Sequence, residues 1–139
     1  GPKDLDYVLQ QSDFLVMALP ATQETLGLIG ATQLSKIKNG AFIINVGRGP
    51  VIDQNALLNA LENGRVAGAG LDVFRDEPVD PDDPLLSHNV VATPHIAGVT
   101  DVSYNEIAIA LSKNIERLRC GIPPANCINI EQLNQANKK

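Results

Sequence analysis

The sequence predicts an α/β protein in which a doubly wound parallel sheet carries helices on both faces. Three observations predict it. Two apolar runs, FLVMAL at 14–19 and AFIINV at 41–46, have strand length and no polar alternation, the pattern of strands buried on both sides. Segments with apolar residues at helical spacing stand between the strand-like runs. Each strand-like run then gives way to proline, glycine or a charged residue, as happens where a parallel sheet gathers its loops.

The elements follow in order. LDYVLQQ (5–11) has Leu5, Val8 and Leu9 on one helical face, and Ser12 and Asp13 end it before the first strand. Pro20 ends that strand, and a polar stretch leads to ATQLSKIKNG, a short helix expected to close on Gly40 as a left-handed cap. AFIINV is the second strand. Asp53 is placed to cap QNALLNALEN, whose Ala56, Leu57, Ala60 and Leu61 make one stripe and whose stop is Gly64. RVAGAGLDVF reads as the third strand, its glycines allowing a neighbour to approach closely. A loop rich in proline and aspartate runs from Arg75 to Asn89 before the short fourth strand, VVAT. Thr100 or Asp101 can cap a long helix with Ile107, Ala108, Leu111, Ile115 and Leu118 on one side and Gly121 as its stop; the remainder has no periodicity.

Composition narrows the function classes. With 139 residues, 44% hydrophobic and 19% charged, the chain is one domain's worth of an ordinary globular protein. A net charge of -5 without a basic stripe excludes a nucleic-acid partner. No apolar run approaches the roughly 20 residues that span a bilayer, and no signal peptide precedes the runs present, so no membrane partner is expected. Cys120 and Cys127 are too sparse for a disulfide framework, which fits a reducing, cytoplasmic setting. With His88 and His95 they have the wrong spacing for a zinc finger, so no metal site is expected. Gly1 and Pro2 read as the remnant of a cleaved tag.

On the parallel-sheet reading, all four strand ends share one edge. Pro20, with Thr22 and Thr25, follows the first strand, and Arg48 the second; Asp72 and then Glu77 follow the third, and His95 the fourth. Arg48, between two glycines, reads either as a solvated turn residue or as a guanidinium left unobstructed for a planar carboxylate. His95 reads either as an ordinary strand-end histidine or as an acid/base. Pro94 stiffens its approach, and Ala97 and Gly98 leave room for a flat ligand. His88 reads as a surface residue. Asp76 and Glu77 are both candidates to support His95, and Asp72, inside AGLDVF, is expected to be partly buried and to need a donor. An arginine that holds a carboxylate and a supported histidine that exchanges a proton suit 2-hydroxy or 2-oxo acids, with a nicotinamide cofactor carrying the hydride.

LPATQETLGLI, INVGRGPVID, AGAGLDVFRDEP and TPHIAG resemble, in order and spacing, the D-isomer-specific 2-hydroxyacid dehydrogenase family, from about residue 5 to residue 129. The resemblance implies a catalytic trio: Arg48 binds the substrate carboxylate, His95 donates a proton to the carbonyl as hydride arrives, and Glu77 keeps His95 protonated. It implies that Asp72 orients the nicotinamide carboxamide, that Pro20 and Thr25 line the cofactor ribose, and that Val46, Gly47, Ala97 and Gly98 face the cofactor, NAD or NADP with NAD favoured. The fold it implies is a partial Rossmann-like sheet: 3–121 the later part of the NAD-binding domain and 122–139 a crossover tail toward a substrate domain.

The family's GxGxxG loop and the ribose selector after it are not found here, and GAGLDVF is no substitute, since no helix follows it. The chain by itself is therefore expected to bind NAD(H) weakly and to turn nothing over. Its partners are expected to be a small 2-oxo or 2-hydroxy acid and either further copies of itself or a complementing amino-terminal half. Two alternatives stand beside the oxidoreductase: a non-catalytic interaction protein, like corepressors of this fold, and a half-enzyme that needs a partner chain.

Overall fold

The computed structural model describes residues 4–131, so the expected tag remnant at Gly1 and Pro2 and the end of the expected crossover tail lie outside the described residues. Two compact units are present, 1–97 and 98–139.

The first unit is built on four parallel strands in the order β1-β2-β3-β4: Phe14–Met17, Ala41–Asn45, Val66–Leu71 and Val90–Ala92. Register sets Leu15 beside Ile43 and Ile43 beside Ala69, so one face is a continuous apolar surface. Onto that face pack Leu9 of α1 (Leu5–Gln11), Leu34 of α2 (Ala31–Lys36) and Ala56, Leu57, Ala60 and Leu61 of α3 (Gln54–Glu62). Each fully buried leucine or isoleucine contributes about 1.5–3 kcal/mol through removal from water. Asp53 caps α3 as expected, its carboxylate accepting the amides of Asn55 (3.0 Å) and Ala56 (3.1 Å), and Gly64 follows with φ +72°.

The structure revises two expectations. Gly40 is left-handed, φ +79°, but α2 has already ended at Lys36, and the glycine instead turns the chain into β2. β1 ends at Met17, not Leu19. The α/β, Rossmann-like class is as expected, and within the first unit α1, α2 and α3 all join the core on one face of the sheet. On the other, Phe14, Val16 and Val91 are exposed and Phe14 stacks on Phe42 with ring centroids 5.4 Å apart. An unbroken apolar run shows that both faces of a strand are apolar; it does not show that both are covered.

The second unit holds α4 (Asp101–Arg119). Thr100 and Ser103 cap it reciprocally: the Thr100 hydroxyl accepts the Ser103 amide at 3.0 Å and the Ser103 hydroxyl accepts the Thr100 amide at 2.9 Å. Gly121, φ +70°, follows its end. No α4 residue is buried, including the apolar stripe. No helix among the described residues is long and apolar enough to cross a membrane.

Candidate active site

Because the strands are parallel, the loops after their carboxyl ends share a rim. The loop after β2 carries Arg48. Both flanking glycines are buried: a Cβ on Gly47 would lie 2.6 Å from the Leu19 carbonyl oxygen, and one on Gly49 would lie 1.9 Å from that of Phe74. The expectation that these glycines clear a path for a ligand is therefore corrected. They admit the protein's own backbone, and the Arg48 turn is wedged between the segments leaving β1 and β3. Arg48 itself is exposed; its Nη1 donates to the Gly47 carbonyl at 2.7 Å, and no ion pair joins it to a carboxylate among the described residues.

The loop after β4 carries His95 at φ +56°, a left-handed conformation that costs a non-glycine residue on the order of 1 kcal/mol or more. Asp72 compensates. Its buried carboxylate accepts the Thr93 hydroxyl (2.6 Å) and the Ile96 amide (2.9 Å) on Oδ1 and the Ala97 amide (2.9 Å) on Oδ2, gripping the turn on both sides of the histidine. Burial pushes the Asp72 pKa up, but the Thr93 hydroxyl, the Ala97 and Ile96 amides and the charge of His95 together hold it below the usual carboxylate value.

Of the two acids considered for His95, Glu77 meets it. Glu77 Oε2 lies 2.8 Å from His95 Nδ1, while Oε1 accepts the Phe74 amide at 3.0 Å; Asp76 instead pairs with Arg75. The hydrogen bond from His95 and the Phe74 amide depress the Glu77 pKa against the effect of burial, and the charges of His95 and Arg48 add to the depression. Arg48 is thus within electrostatic reach of the pair. With Nδ1 taken, Nε2 is the nitrogen left to exchange a proton. A cleft of about 490 Å³ is lined by Phe74, Glu77, Pro78, Val79, Pro94 and His95.

The other candidates are spread along the rim. Pro20 is exposed and its carbonyl accepts the Thr25 hydroxyl at 2.6 Å. Val46 is exposed, Gly47 is packed against Leu19, and Ala97 is tied to Asp72. Gly98 belongs to the second unit, where its carbonyl accepts the Ser103 hydroxyl. Asp72's oxygens are already engaged by the protein, which is more than its sequence context revealed. Gly68 and Gly70 lie inside β3 against Asn89 and Ile44, so they cradle no phosphate. His88 is partly buried, away from these contacts, and Cys120 and Cys127 are free thiols.

Sequence reasoning missed Asn45. It is buried at the end of β2, donating from Nδ2 to the Arg48 carbonyl (3.0 Å) and accepting the Gly47 amide on Oδ1 (3.1 Å). The available signal was an amide at an inward-facing position of an otherwise apolar strand.

A parallel α/β sheet whose carboxyl rim carries an exposed arginine and a glutamate-bound histidine has the architecture of the Rossmann-like, nucleotide-binding class. Residues 1–97 match the family described as D-isomer specific 2-hydroxyacid dehydrogenase, NAD binding domain, and the chain belongs to that family. It is 50% identical over 128 residues, 91% of this chain, to glyoxylate/hydroxypyruvate reductase B of Salmonella newport (strain SL254), and it spans 39% of that relative's length. A crystal structure of a D-isomer specific 2-hydroxyacid dehydrogenase from Xanthobacter autotrophicus Py2, in complex with NADPH and MES, superposes with a TM-score of 0.81 at 41% identity, covering 91% of this chain and 52% of that one. A family member from Klebsiella pneumoniae 342 gives 0.83 at 42% identity, covering 93% and 41%.

Proposed function

We propose that the chain supplies the acid/base half of a site that transfers a hydride between a nicotinamide cofactor and a D-2-hydroxy acid or its 2-oxo acid. The observation that carries this reading is the His95–Glu77 pair at 2.8 Å, with both residues lining a cleft and the charge of Arg48 adding to the depression of the Glu77 pKa. In the reduction, Arg48 binds the substrate carboxylate through its fork of donors. His95 gives its Nε2 proton to the carbonyl oxygen and leaves as neutral imidazole; Glu77 stabilises the imidazolium beforehand. The cofactor, when bound, supplies the hydride to the carbonyl carbon. Exposed Val46, Pro20 and Ala97, with Gly47, form the side toward it, Thr25 steadies Pro20, and Asp72, which holds the His95 turn, orients the carboxamide.

The substrate class is taken to be glyoxylate or hydroxypyruvate, from the reductase relative. NAD is the favoured carrier, and the NADPH-bound relative supports NADP as an alternative. Residues 122–139 are read as the crossover toward a substrate domain, and the free thiols fit a cytoplasmic setting. The exposed sheet face with Phe14, Val16 and Val91 favours a covering partner, either a complementing amino-terminal half or a second copy.

The test joins this segment to a glycine-rich amino-terminal half and follows NADH consumption with glyoxylate or hydroxypyruvate. His95→Ala is expected to lower kcat at least about a hundredfold, and Glu77→Gln to narrow the pH profile of the reduction on its alkaline side, because the imidazolium loses the carboxylate that favours it. Retained turnover in His95→Ala would refute the assignment. Light scattering of the chain by itself reads the partner proposal: a clean monomer at high concentration counts against self-association.

A further inference from the structure

We propose that Asn45 is a positioning residue that fixes the Arg48 turn by bonding its backbone from beneath, on both sides of the peptide that carries the guanidinium. The inference rests on the reading of Arg48 as the carboxylate site. Among the described residues Asn45 and Asp72 are the buried polar side chains. They do parallel work in neighbouring strands, Asp72 under the His95 turn and Asn45 under the Arg48 turn.

The chemistry requires an amide. The Gly47 N–H can only donate and the Arg48 carbonyl can only accept, so one side chain must offer an acceptor and a donor about a peptide's width apart. Asparagine does this with Oδ1 and Nδ2, at 3.1 and 3.0 Å, and its partners fix which end is oxygen. Aspartate lacks the donor, and leucine, of similar shape, lacks both. The anchor is rigid because Asn45 belongs to β2 and its carbonyl accepts the Asp72 amide from the end of β3 at 3.0 Å.

Arg48 depends on this support. Its guanidinium bonds the carbonyl of Gly47 in the same turn, so its place follows the turn's backbone. Apart from Arg48 itself, Asn45 is the one side chain that bonds residues 47–49 among the described residues. Gly47 packs against Leu19 and Gly49 against Phe74, and the amides of Val51 and Ile52, which follow the turn in sequence, donate to the carbonyls of Arg48 and Gly49 at 3.2 and 3.1 Å. Asn45 alone ties the amide before Arg48 and the carbonyl after it to the sheet through one side chain, and so positions the guanidinium that would hold a carboxylate.

The experiment compares the ¹⁵N-labelled chain with Asn45→Leu, Asn45→Asp and, as a control in the same strand, Ile43→Val. Backbone order parameters at residues 47–49 are expected near 0.85 in the unsubstituted chain and below about 0.6 in Asn45→Leu, with the remaining sheet unchanged. Asn45→Asp, which keeps only the acceptor, is expected to lose order at Arg48 and Gly49 more than at Gly47. Ile43→Val is expected to leave the turn as it was. Oxamate, a small carboxylate probe, should shift the Arg48 Nε signal and bind about tenfold more weakly in Asn45→Leu. No oxamate response in the unsubstituted chain would count against Arg48 as a carboxylate site, while the order parameters would still decide the role of Asn45. Unchanged order in either folded Asn45 variant, or an equal loss in Ile43→Val, would overturn the inference. So would loss of the fold in both Asn45 variants while Ile43→Val stays folded, because Asn45 would then serve the fold as a whole.

Discussion

Helices α3 and α4 carry similar sequence signals and have different fates. α3 has a cap at Asp53, a stripe at Ala56, Leu57, Ala60 and Leu61, and a glycine stop; all four stripe residues are buried. α4 has a cap at Thr100, a stripe through Ile107, Leu111, Ile115 and Leu118, and a glycine stop; none of its residues is buried. The difference teaches that capping and periodicity make a helix, whereas a facing surface makes a core. α3 faces the sheet, and the stripe of α4 remains exposed.

The comparison breaks most readily at the core. Leu57→Ala should cost about 2–5 kcal/mol of unfolding free energy, the range for a fully buried leucine. Denaturant titration measures it, and a loss under 1 kcal/mol would show that α3 is less firmly seated than its burial suggests. Gly49→Ala comes next, at about 1–3 kcal/mol for forcing a methyl group against the Phe74 carbonyl. It should also disturb Arg48 and leave α3 untouched, which amide shifts would show.

A smaller effect concerns acid. Asp72 and Glu77 both titrate below their ordinary values in the folded chain, so each stabilises the fold above its unfolded pKa, and that stability is lost as pH falls through the folded one. The melting temperature should therefore fall as pH drops below the ordinary carboxylate range. Asp72→Asn should flatten that slope by removing the more deeply buried of the two charges; an unchanged slope would mean that other acids set it. The smallest effect is at α4, where Leu111→Ala should change stability by less than about 0.5 kcal/mol. A larger loss would show that its stripe packs against a partner in solution.

Much of the fold was legible because it follows local rules. The caps at Asp53 and Thr100 and the strands at Phe14, Ala41 and Val66 were all readable within a few residues. The α/β class followed from their alternation. At the rim, sequence placed Arg48, Asp72, Glu77 and His95 at strand ends without showing how they meet. Asp76 and Glu77 are neighbours of the same chemistry, and only the course of the loop turns Glu77 to His95 and Asp76 to Arg75. Gly47 and Gly49 looked open to a ligand, because a sequence does not show that Leu19 and Phe74 fill the space. Asn45 passed unnoticed inside an apolar run because its partners matter only once the turn folds back over it.

By itself, the sequence determined the helices, the strands, the class of sheet and the residue types gathered at its carboxyl edge, since turn chemistry and periodicity act over one or two helical turns. The tertiary structure alone decided which acid supports the histidine, which amide underlies the arginine, why the glycines are needed and which apolar stripe is buried. Those outcomes depend on hydrogen bonds and contacts between loops far apart in the chain, 18 residues for Glu77 and His95 and 25 for Asp72 and Ala97, and on the competition for buried space that only packing settles.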